Sequence, residues 1–404
     1  MRLKKTISEI EPSWLTGRTV LVRVDYNVPV DGRHVTDDRR IRLSLPTLEL
    51  LLGAGAKVVL LSHLGRPGGI AVPELSLAPA VDCLGSLLGM SVELITDTDP
   101  STMASAVRGT SGECVLMLEN TRFLEGDVAN DPELAMAWAE LGELFVNDAF
   151  GTTHRAHAST SGLAQAMVAR GYEAVSGLLV ARELRFLDEA LRAPERPLTA
   201  ILGGAKISGK IDVIDAFLSR VDRLLIGGAM ANTFMRALGL ETGSSLVEED
   251  RVALAAELIE KGGEQLVLPV DYIVSRDHKA GTEIRVLDRS KISNADRIVD
   301  IGPKTRAHFT EVIGWSKSIV WNGPMGVFEM DSFKEGTDIL AKNISDLTKN
   351  NRLISVVGGG DTASAVIRSG MESSFTHVST GGGASLELLS GLKLKLFESW
   401  KKYE

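Results

Sequence analysis

The sequence predicts an α/β protein with two doubly wound, Rossmann-like domains of parallel sheet, joined by a helix and separated by a cleft. Three observations support this class. Short apolar segments rich in β-branched residues alternate with longer amphipathic segments of helical period along the chain. The 404 residues exceed the length that a single hydrophobic core usually serves. Residues 176–197 have helical spacing and end among prolines, as a connecting helix would.

Nearly continuous apolar runs predict the strands, because parallel strands are covered on both faces. We expect one domain over residues 1–176 and a second over 177–391, which includes the connecting helix. Residues 392–404 form an amphipathic tail that we expect to dock on the folded chain. The predicted strands are 19–24, 57–61, 114–118 and 144–147 in the first half, and 198–202, 223–226, 265–270, 318–321 and 353–357 in the second.

Composition and charge exclude several classes of function. The formal net charge is −9 and the pI is about 5.5, which argues against broad binding to nucleic acid or to anionic membranes, since both need a net positive face. The chain has no run of about 18 apolar residues, so we expect no membrane span and a cytoplasmic location. Cys83 and Cys114 are too few for a disulfide framework or a cysteine-rich metal site.

Basic side chains collect after the predicted strands of the first half. Ligands of open parallel sheets bind beyond the carboxyl ends of the strands, so these positions matter most. Guanidinium groups pair bidentately with phosphate and carboxylate oxygens, and we therefore expect a small anion to bind here. The polar residues at these positions are Asp25, Asn27, Arg40, His63, Arg66, Arg122, His154, Arg155 and His157.

Glycine-rich segments take the equivalent positions in the second half. Glycine lets backbone N–H groups approach a phosphate closely, and the helix that follows adds the positive end of its dipole. Lys206, Lys210, Glu329 and Asp361 add the charges that phosphate, ribose and magnesium require. The second half is therefore expected to bind a nucleotide. The segments are "GGAKISGK", "IGGAMANTF", "WNGPMGVFE", "VGGGDTASA" and "STGGGASLE".

The segment "GGAKISGK" has the Gly-x-x-x-x-Gly-Lys spacing of a P-loop but not its chemistry. The next residue is Ile211, where a P-loop needs the hydroxyl of Ser or Thr to bind magnesium. We interpret the segment as a pair of lysines, Lys206 and Lys210, that share one face if a helix begins at about Lys206.

An anion site in one half and a nucleotide site in the other predict a phosphotransferase that closes two domains around its substrates and so excludes water. Two alternatives stay open. A dinucleotide-dependent oxidoreductase is suggested by "GGGDTA" at residues 358–363, although no acid follows about 20 residues later to hold a ribose. A nucleotide-binding regulatory protein that has lost its activity is less favoured, because the charged residues are intact.

Eight segments resemble those of the phosphoglycerate kinase family, and they occur in order from about residue 20 to residue 390. The strings "NDAFGTTHRAHAST" and "STGGGASLELL" are highly specific. The other six are "VLVRVDYNVP", "LLGAGAKVV", "SHLGRP", "AILGGAKISGKI", "IVWNGPMGVFE" and "VVGGGDTASAV".

The resemblance implies a monomeric two-domain kinase that moves a phosphoryl group between 1,3-bisphosphoglycerate and MgADP, giving 3-phosphoglycerate and MgATP. It implies that the tail after residue 391 returns to the first domain. By matching motif positions, phosphoglycerate would be held by Asp25, Asn27, Arg40, His63, Leu64, Gly65, Arg66, Arg122 and Arg155. The nucleotide would be held by Lys210, Asn322, Pro324, Glu329, Gly358, Gly359, Gly360, Asp361 and Thr362, with Glu329 on the ribose.

The expected mechanism needs positioning and charge neutralisation rather than a general base, because the acceptor carboxylate is already ionised. We expect Arg40 and Lys206 to meet at the transferring phosphoryl group with the backbone amides of Gly382 and Gly383, and Asp361 to lie at the Mg²⁺. Two stretches depart from the family pattern: Gly209 stands where an acid is common, and Ile298 and Val299 lie where the adenine is expected.

Overall fold

The structure is a computed structural model that describes residues 5–110, 114–192, 194–276, 283–389 and 394–398. The chain divides into two compact units. The first unit comprises Met1–Arg185 with Lys393–Glu404, and the second comprises Phe186–Leu392. Each unit is built on a parallel sheet flanked by helices, which confirms the predicted α/β class.

The first unit contains a six-stranded sheet in the order β5-β6-β4-β1-β7-β8, in which every neighbouring pair is parallel. A short antiparallel hairpin, β2-β3, lies apart from it. The strands are β1 (Thr19–Arg23), β2 (Val30–Asp31), β3 (His34–Val35), β4 (Lys57–Leu61), β5 (Val92–Ile95), β6 (Val115–Leu118), β7 (Leu144–Asn147) and β8 (Glu173–Ser176).

The central strands of this sheet are mainly apolar, and their apolar side chains form the core. Val20, Val58 and Leu144 are fully or almost fully buried on adjacent strands. The helices of this unit are α1 (Pro12–Leu15), α2 (Arg39–Gly53), α3 (Ala78–Leu88), α4 (Pro100–Gly109), α5 (Glu125–Ala129), α6 (Pro132–Ala139) and α7 (Leu163–Ala169), with a π-helical turn at Ala158–Gly162. Helix α8 (Leu178–Arg192) begins in the first unit, and its residues from Phe186 onward belong to the second.

The second unit contains a six-stranded parallel sheet in the order β11-β10-β9-β15-β16-β17 and a three-stranded antiparallel sheet in the order β13-β12-β14. The antiparallel sheet is absent from the prediction. The strands are β9 (Leu198–Leu202), β10 (Arg223–Ile226), β11 (Leu266–Val267), β12 (Asp271–Ser275), β13 (Ile284–Asp288), β14 (Arg297–Ile301), β15 (Ser318–Asn322), β16 (Ile354–Gly358) and β17 (His377–Val378).

The helices of the second unit pack around a core that includes Phe309, Trp321 and Leu340. Their bounds are α9 (Ile211–Leu218), α10 (Met230–Ala237), α11 (Val252–Gly262), α12 (Pro303–Trp315), α13 (Glu335–Lys349), α14 (Gly360–Arg368) and α15 (Gly382–Leu389). Short 3₁₀ turns lie at Ile7–Glu9, Pro73–Leu75, Thr121–Phe123, Phe150–Thr152, Glu249–Arg251, Gly263–Gln265, Arg289–Lys291, Asp331–Phe333 and Glu372–Ser374.

The described part of the tail forms α16 (Lys395–Glu398), which lies on the first unit. The backbone N–H of Leu396 donates to the carbonyl of Thr153 at 3.0 Å. Within the described ranges, no helix is both long and apolar enough to cross a membrane.

Candidate functional site

The polar residues predicted for the first unit follow β6, β4, β1 and β7, which are four neighbouring strands of one sheet. Because these strands are parallel, their carboxyl ends share one edge of the sheet. Arg40, in the first turn of α2, reaches this edge and donates from Nη1 to Oδ2 of Asp25 at 2.9 Å. The edge is therefore built by the topology from residues far apart in the chain.

Backbone and side-chain hydrogen bonds connect three of the loops. Oδ1 of Asn27 accepts the N–H of Gly65 at 2.9 Å, and Nη1 of Arg122 donates to the carbonyl of Gly65 at 2.7 Å. The carbonyl of Leu64 accepts Nδ2 of Asn120 at 2.7 Å. The loop after β4 is thus held from both sides.

His63 lies at the centre of the cationic cluster and is buried. Burial lowers the pKa of His63 well below its ordinary value, and the positive charges of Arg23, Arg122, Arg40 and Arg155 lower the pKa further. Nη2 of Arg23 lies 3.0 Å from Nδ1 of His63, so that nitrogen accepts the hydrogen bond and the proton of the neutral ring is on Nε2. His63 is neutral at physiological pH.

Arg23 is a site residue that the sequence prediction missed. Its side chain is fully buried, and Nε donates to Oγ of Ser159 at 3.1 Å. Burial lowers the pKa of Arg23, while Asp127 and Asp25 raise it. An arginine inside the apolar run "TVLVRV" was the available signal, because a strand buried on both faces rarely contains a charge.

Arg122 and Arg155 complete the cluster. Burial, together with the charges of Arg155 and Arg23, lowers the pKa of Arg122 to about 10, so the guanidinium is still charged at neutral pH. Nε of Arg122 is buried and has no hydrogen-bond partner among the described residues. Closely spaced cations with a free buried donor are a binding site for an anion rich in oxygen atoms. Arg66, in the loop after β4, is exposed.

The remaining predicted histidines have orienting positions. Nε of Arg155 donates to Nε2 of His154 at 3.1 Å. Burial is the largest effect on His157 and lowers its pKa to about 4, although Asp127 raises it. Both rings are neutral at pH 7, which suits orientation of Arg155 and its loop rather than proton transfer.

In the second unit, the glycine-rich loops follow β10, β9, β15, β16 and β17, the last five strands of the parallel sheet in order. The backbones of the loops after β9, β10 and β15 are in close contact. A Cβ atom on Gly203 would lie 2.1 Å from the carbonyl oxygen of Pro324, and one on Gly228 would lie 2.4 Å from the nitrogen of Gly204. Hydrogen bonds from Gly204 N–H to Pro324 and from Gly228 N–H to Met325 hold these loops together.

The two lysines of "GGAKISGK" do not share a helix face, and that prediction is wrong. α9 begins at Ile211, after both lysines, because the amides of the preceding turn are bound by a carboxylate from another loop, described below. Lys206 is exposed, whereas Lys210 is half-buried with Nζ against the carbonyl oxygens of Gly203 and Asn322.

Burial lowers the pKa of Lys210 to about 8, and the nearby charge of Asp361 raises it. Asp361 thus provides a negative charge near Lys210, whereas Gly209, where the family commonly has an acid, provides none. Asp361 is exposed and lies in the first turn of α14.

Helices α14 and α15 begin side by side at the same edge of the parallel sheet, where the glycine-rich loops lie. α14 begins at Gly360, directly after Gly358 and Gly359, and α15 begins at Gly382. A Cβ atom on Gly382 would lie 3.7 Å from the backbone nitrogen of Gly360. Gly383 follows and is exposed. Two positive helix ends directed to one place favour a group with several negative charges.

Thr362 connects α14 to the loop that follows β15, and Asn322 lies at the start of that loop. Oγ1 of Thr362 accepts the N–H of Gly323 at 2.5 Å. Nδ2 of Asn322 is buried, lies close to Gly359 and has no hydrogen-bond partner among the residues described. It is a donor available to a phosphate oxygen.

A cavity of about 190 Å³ lies beside these glycines. Glu329 and Asp361 contribute carboxylates to its wall, and Ile298 and Val299 contribute apolar side chains. Its other walls include Gly204, Gly228 and Pro324. An apolar side with acidic groups at the edge suits a nucleoside, since the base can be buried and the ribose hydroxyls can donate to a carboxylate.

No three His, Cys, Asp or Glu side chains of the described residues group closely enough to hold a metal ion by themselves. A metal at Asp361 would have this carboxylate as one ligand and could take further oxygen ligands from the phosphates of a bound nucleotide. Mg²⁺ fits this arrangement, because it is commonly bound by one or two carboxylates together with substrate phosphates.

Comparison with known proteins decides the family. The family profile described as phosphoglycerate kinase matches residues 10–392. The chain belongs to the phosphoglycerate kinase family. It is accordingly a transferase and a glycolytic kinase that acts on a carboxyl group, transferring a phosphoryl group reversibly between 1,3-bisphosphoglycerate and ADP.

Individual phosphoglycerate kinases are similar over nearly the whole length. The phosphoglycerate kinase of Chloroherpeton thalassium is 48% identical over 399 residues, which cover 97% of each chain. That of Dictyoglomus turgidum is 47% identical over 394 residues, with 97% of each chain covered. The solved structure of phosphoglycerate kinase from Coxiella burnetii superposes with a TM-score of 0.85 at 37% identity and covers 98% of each chain.

Proposed function

We propose that this kinase holds phosphoglycerate on the first unit and the nucleotide on the second, with the residues predicted from the sequence in those roles. The observation that carries the proposal is the group of arginines around a neutral, buried His63 at the ends of four adjacent strands. Phosphoglycerate has a phosphate and a carboxylate, which match guanidinium groups in charge and shape. The proposed ligands are Asp25, Asn27, Arg40, His63, Leu64, Gly65, Arg66, Arg122 and Arg155, with Arg23 orienting His63.

The nucleotide site is proposed at the cavity of the second unit. Glu329 would accept the ribose hydroxyls, and Ile298 and Val299 would lie against the base. The half-buried Lys210 and the unpaired Nδ2 of Asn322 supply charge and a hydrogen-bond donor for phosphate. The other proposed contacts are Pro324, Gly358, Gly359, Gly360, Asp361 and Thr362.

Transfer is proposed to depend on charge rather than on proton movement. The acceptor carboxylate is ionised at neutral pH, so no general base is required, and the low pKa of His63 agrees with this. Arg40 and Lys206 would neutralise the oxygens of the moving phosphoryl group, with the backbone amides of Gly382 and Gly383 at the start of α15. We propose that the two units close on each other to bring these groups together.

Mg²⁺ would be held by Asp361 and the nucleotide phosphates, where it neutralises phosphate charge. The proposed domains are residues 1–176 for phosphoglycerate, 177–391 for the connecting helix and nucleotide, and 392–404 for the tail. The hydrogen bond from Leu396 to Thr153 supports the placement of the tail on the first domain. We further propose a cytoplasmic monomer with no nucleic-acid or membrane partner, in keeping with the net charge of −9.

A coupled assay tests the proposal. Purified protein is given 3-phosphoglycerate, MgATP and the coupling enzymes, and ADP formation is followed, with reactions lacking phosphoglycerate or Mg²⁺ as controls. The proposal requires that turnover depend on both 3-phosphoglycerate and Mg²⁺. Conversion of Arg122 to Ala should raise KM for 3-phosphoglycerate, while conversion of Glu329 to Gln should raise KM for the nucleotide. If both variants changed the same KM, the assignment of one substrate to each unit would be wrong.

A further inference from the structure

The turn that contains Lys206 is held by a carboxylate from a distant part of the second unit. Oε2 of Glu248 accepts the backbone N–H groups of both Ile207 and Ser208, and Oε1 accepts the hydroxyl of Ser208. Glu248 lies 41 residues after Ile207 in the chain. One side chain therefore binds three donors on the two residues that directly follow Lys206.

Glu248 is itself fixed in place. Its backbone N–H donates at 3.2 Å to Oγ1 of Thr233, which is buried within α10. A 3₁₀ turn begins at the next residue, Glu249. The carboxylate is thus attached to the packed core of the second unit, and the lysine turn is attached to the carboxylate.

The charge on Glu248 contributes to this attachment. Burial of the carboxyl raises its pKa, but hydrogen bonds from Ser208 and Ile207 and the charge of Lys206 together bring the pKa below its ordinary value. Hydrogen bonds to an ionised acceptor are roughly twice as strong as those between neutral groups. Without the carboxylate, two backbone N–H groups would lose their partner and the turn would lose its anchor.

We propose that Glu248 is a positioning residue for phosphoryl transfer, which sets the backbone from which Lys206 reaches the transferring group. The inference depends on the role of Lys206 proposed above. It goes beyond that role, because Glu248 lies outside every glycine-rich segment and has no proposed contact with either substrate. Glu248 acts on turnover through Lys206 alone.

The test is a double-mutant cycle on the full chain, measured by steady-state kinetics in the coupled assay. Glu248→Gln keeps the shape but removes the negative charge that strengthens the two backbone hydrogen bonds, and it places an N–H₂ group where Oε1 now accepts the hydroxyl of Ser208. We expect kcat to fall by about 10- to 100-fold, with KM for 3-phosphoglycerate unchanged, because small displacements of a reacting group have effects of this size. Glu249→Gln is the matched control: its carboxylate is largely exposed and, among the described residues, pairs only with Arg236 at 3.6 Å. Its kcat should equal that of the wild type.

The cycle is completed by Lys206→Ala. If Glu248 acts through Lys206, Glu248→Gln should lower kcat in the wild-type background but not in the Lys206→Ala background. Equal losses in the two backgrounds would overturn the inference, as would a Glu248→Gln variant with the kcat of Glu249→Gln. A normal kcat for Lys206→Ala alone would instead overturn the proposed role of Lys206, so the two failures are distinguishable.

Ser208→Ala gives a second, milder variant in case Glu248→Gln does not fold. It removes one hydrogen bond to the carboxylate and leaves both backbone bonds. We expect a fall in kcat of a few-fold, again absent in the Lys206→Ala background, and an additive fall would contradict the inference.

Discussion

Nη2 of Arg23 lies 3.0 Å from Nδ1 of His63, and both side chains are buried at the carboxyl ends of adjacent strands. A permanently charged guanidinium that donates to an imidazole prevents the ring from binding a second proton. The pair therefore gives the proposed phosphoglycerate site a hydrogen-bond donor, Nε2–H, whose protonation state is constant near neutral pH.

His63 should not titrate near neutral pH. We expect its imidazole nitrogen signals in NMR spectra to stay constant from pH 8 down to pH 6, with the assignment made by comparison with His63→Gln. Because the folded pKa lies below the ordinary value of about 6.5, the unfolded chain binds a proton that the folded chain does not, and stability should fall as the pH drops below that value. A midpoint between pH 6 and 8 would contradict this account.

Arg40→Ala and Lys206→Ala should lower kcat by roughly 10²- to 10³-fold, the usual effect of losing one group that stabilises transition-state charge. Lys206→Ala should leave KM for the nucleotide almost unchanged. Steady-state kinetics with both substrates varied would separate the two parameters. Turnover near the wild-type rate in either variant rules out that residue as a stabiliser of the moving group.

Nucleotide binding should weaken above pH 8. The pKa of Lys210 is lowered to about 8, so the ammonium loses its charge in this range and its attraction for phosphate disappears. The dissociation constant for ADP should rise with pH, approaching about tenfold per pH unit if only the charged form binds. Isothermal titration calorimetry in buffers of different ionisation enthalpy should show proton uptake at pH 8.

Lys210→Arg is the control for that titration, because guanidinium stays charged above pH 9. Its affinity for ADP should be almost independent of pH between 7 and 9. An unchanged pH dependence in this variant would assign the effect to another group.

Gly203→Ala should destabilise the second unit. The added Cβ would lie 2.1 Å from the carbonyl oxygen of Pro324, so backbone has to move, at a cost of roughly 3 kcal/mol. Gly314→Ala in α12 is the matched control, since its Cβ would meet no atom within 4 Å and alanine favours a helix. Urea unfolding should show a lower midpoint for the first variant and an equal or higher midpoint for the second.

Small-angle X-ray scattering tests closure of the units. With both 3-phosphoglycerate and a non-reacting MgATP analogue present, the radius of gyration should be smaller than with either ligand alone. An unchanged radius argues against transfer by domain closure.

The sequence was sufficient to place most of the proposed site residues at strand ends, because parallel sheets fix where strand ends lie. Once β1 and β4 were recognised as apolar runs, the loop residues Asp25 and His63 could be placed at one edge. Arg23 was missed for the same reason. It lies within β1, and the prediction considered only polar residues that follow a strand.

The sequence pattern was less informative where contacts between residues far apart in the chain determine the backbone conformation. The helix expected from about Lys206 begins at Ile211, because Glu248 binds the intervening amides, and spacing along the chain contains no trace of that contact. Likewise the predicted strand 265–270 is reduced to Leu266–Val267, since Pro269 lacks an N–H for the ladder. Strand β13 of the antiparallel sheet was not predicted, because its residues alternate between partly buried and exposed instead of forming an apolar run.

The burial of the Arg23 and Arg122 side chains has a consequence for the stability of the enzyme in a cell. Burial is the largest influence on both guanidinium groups and disfavours their charged forms, so the ligand-free fold is less stable than an apolar equivalent would be. An anionic metabolite that bound Arg122, as proposed above, would restore part of this free energy. The supply of phosphoglycerate would then influence how much of the enzyme is folded, and a cell short of it would expose more of the protein to proteolysis.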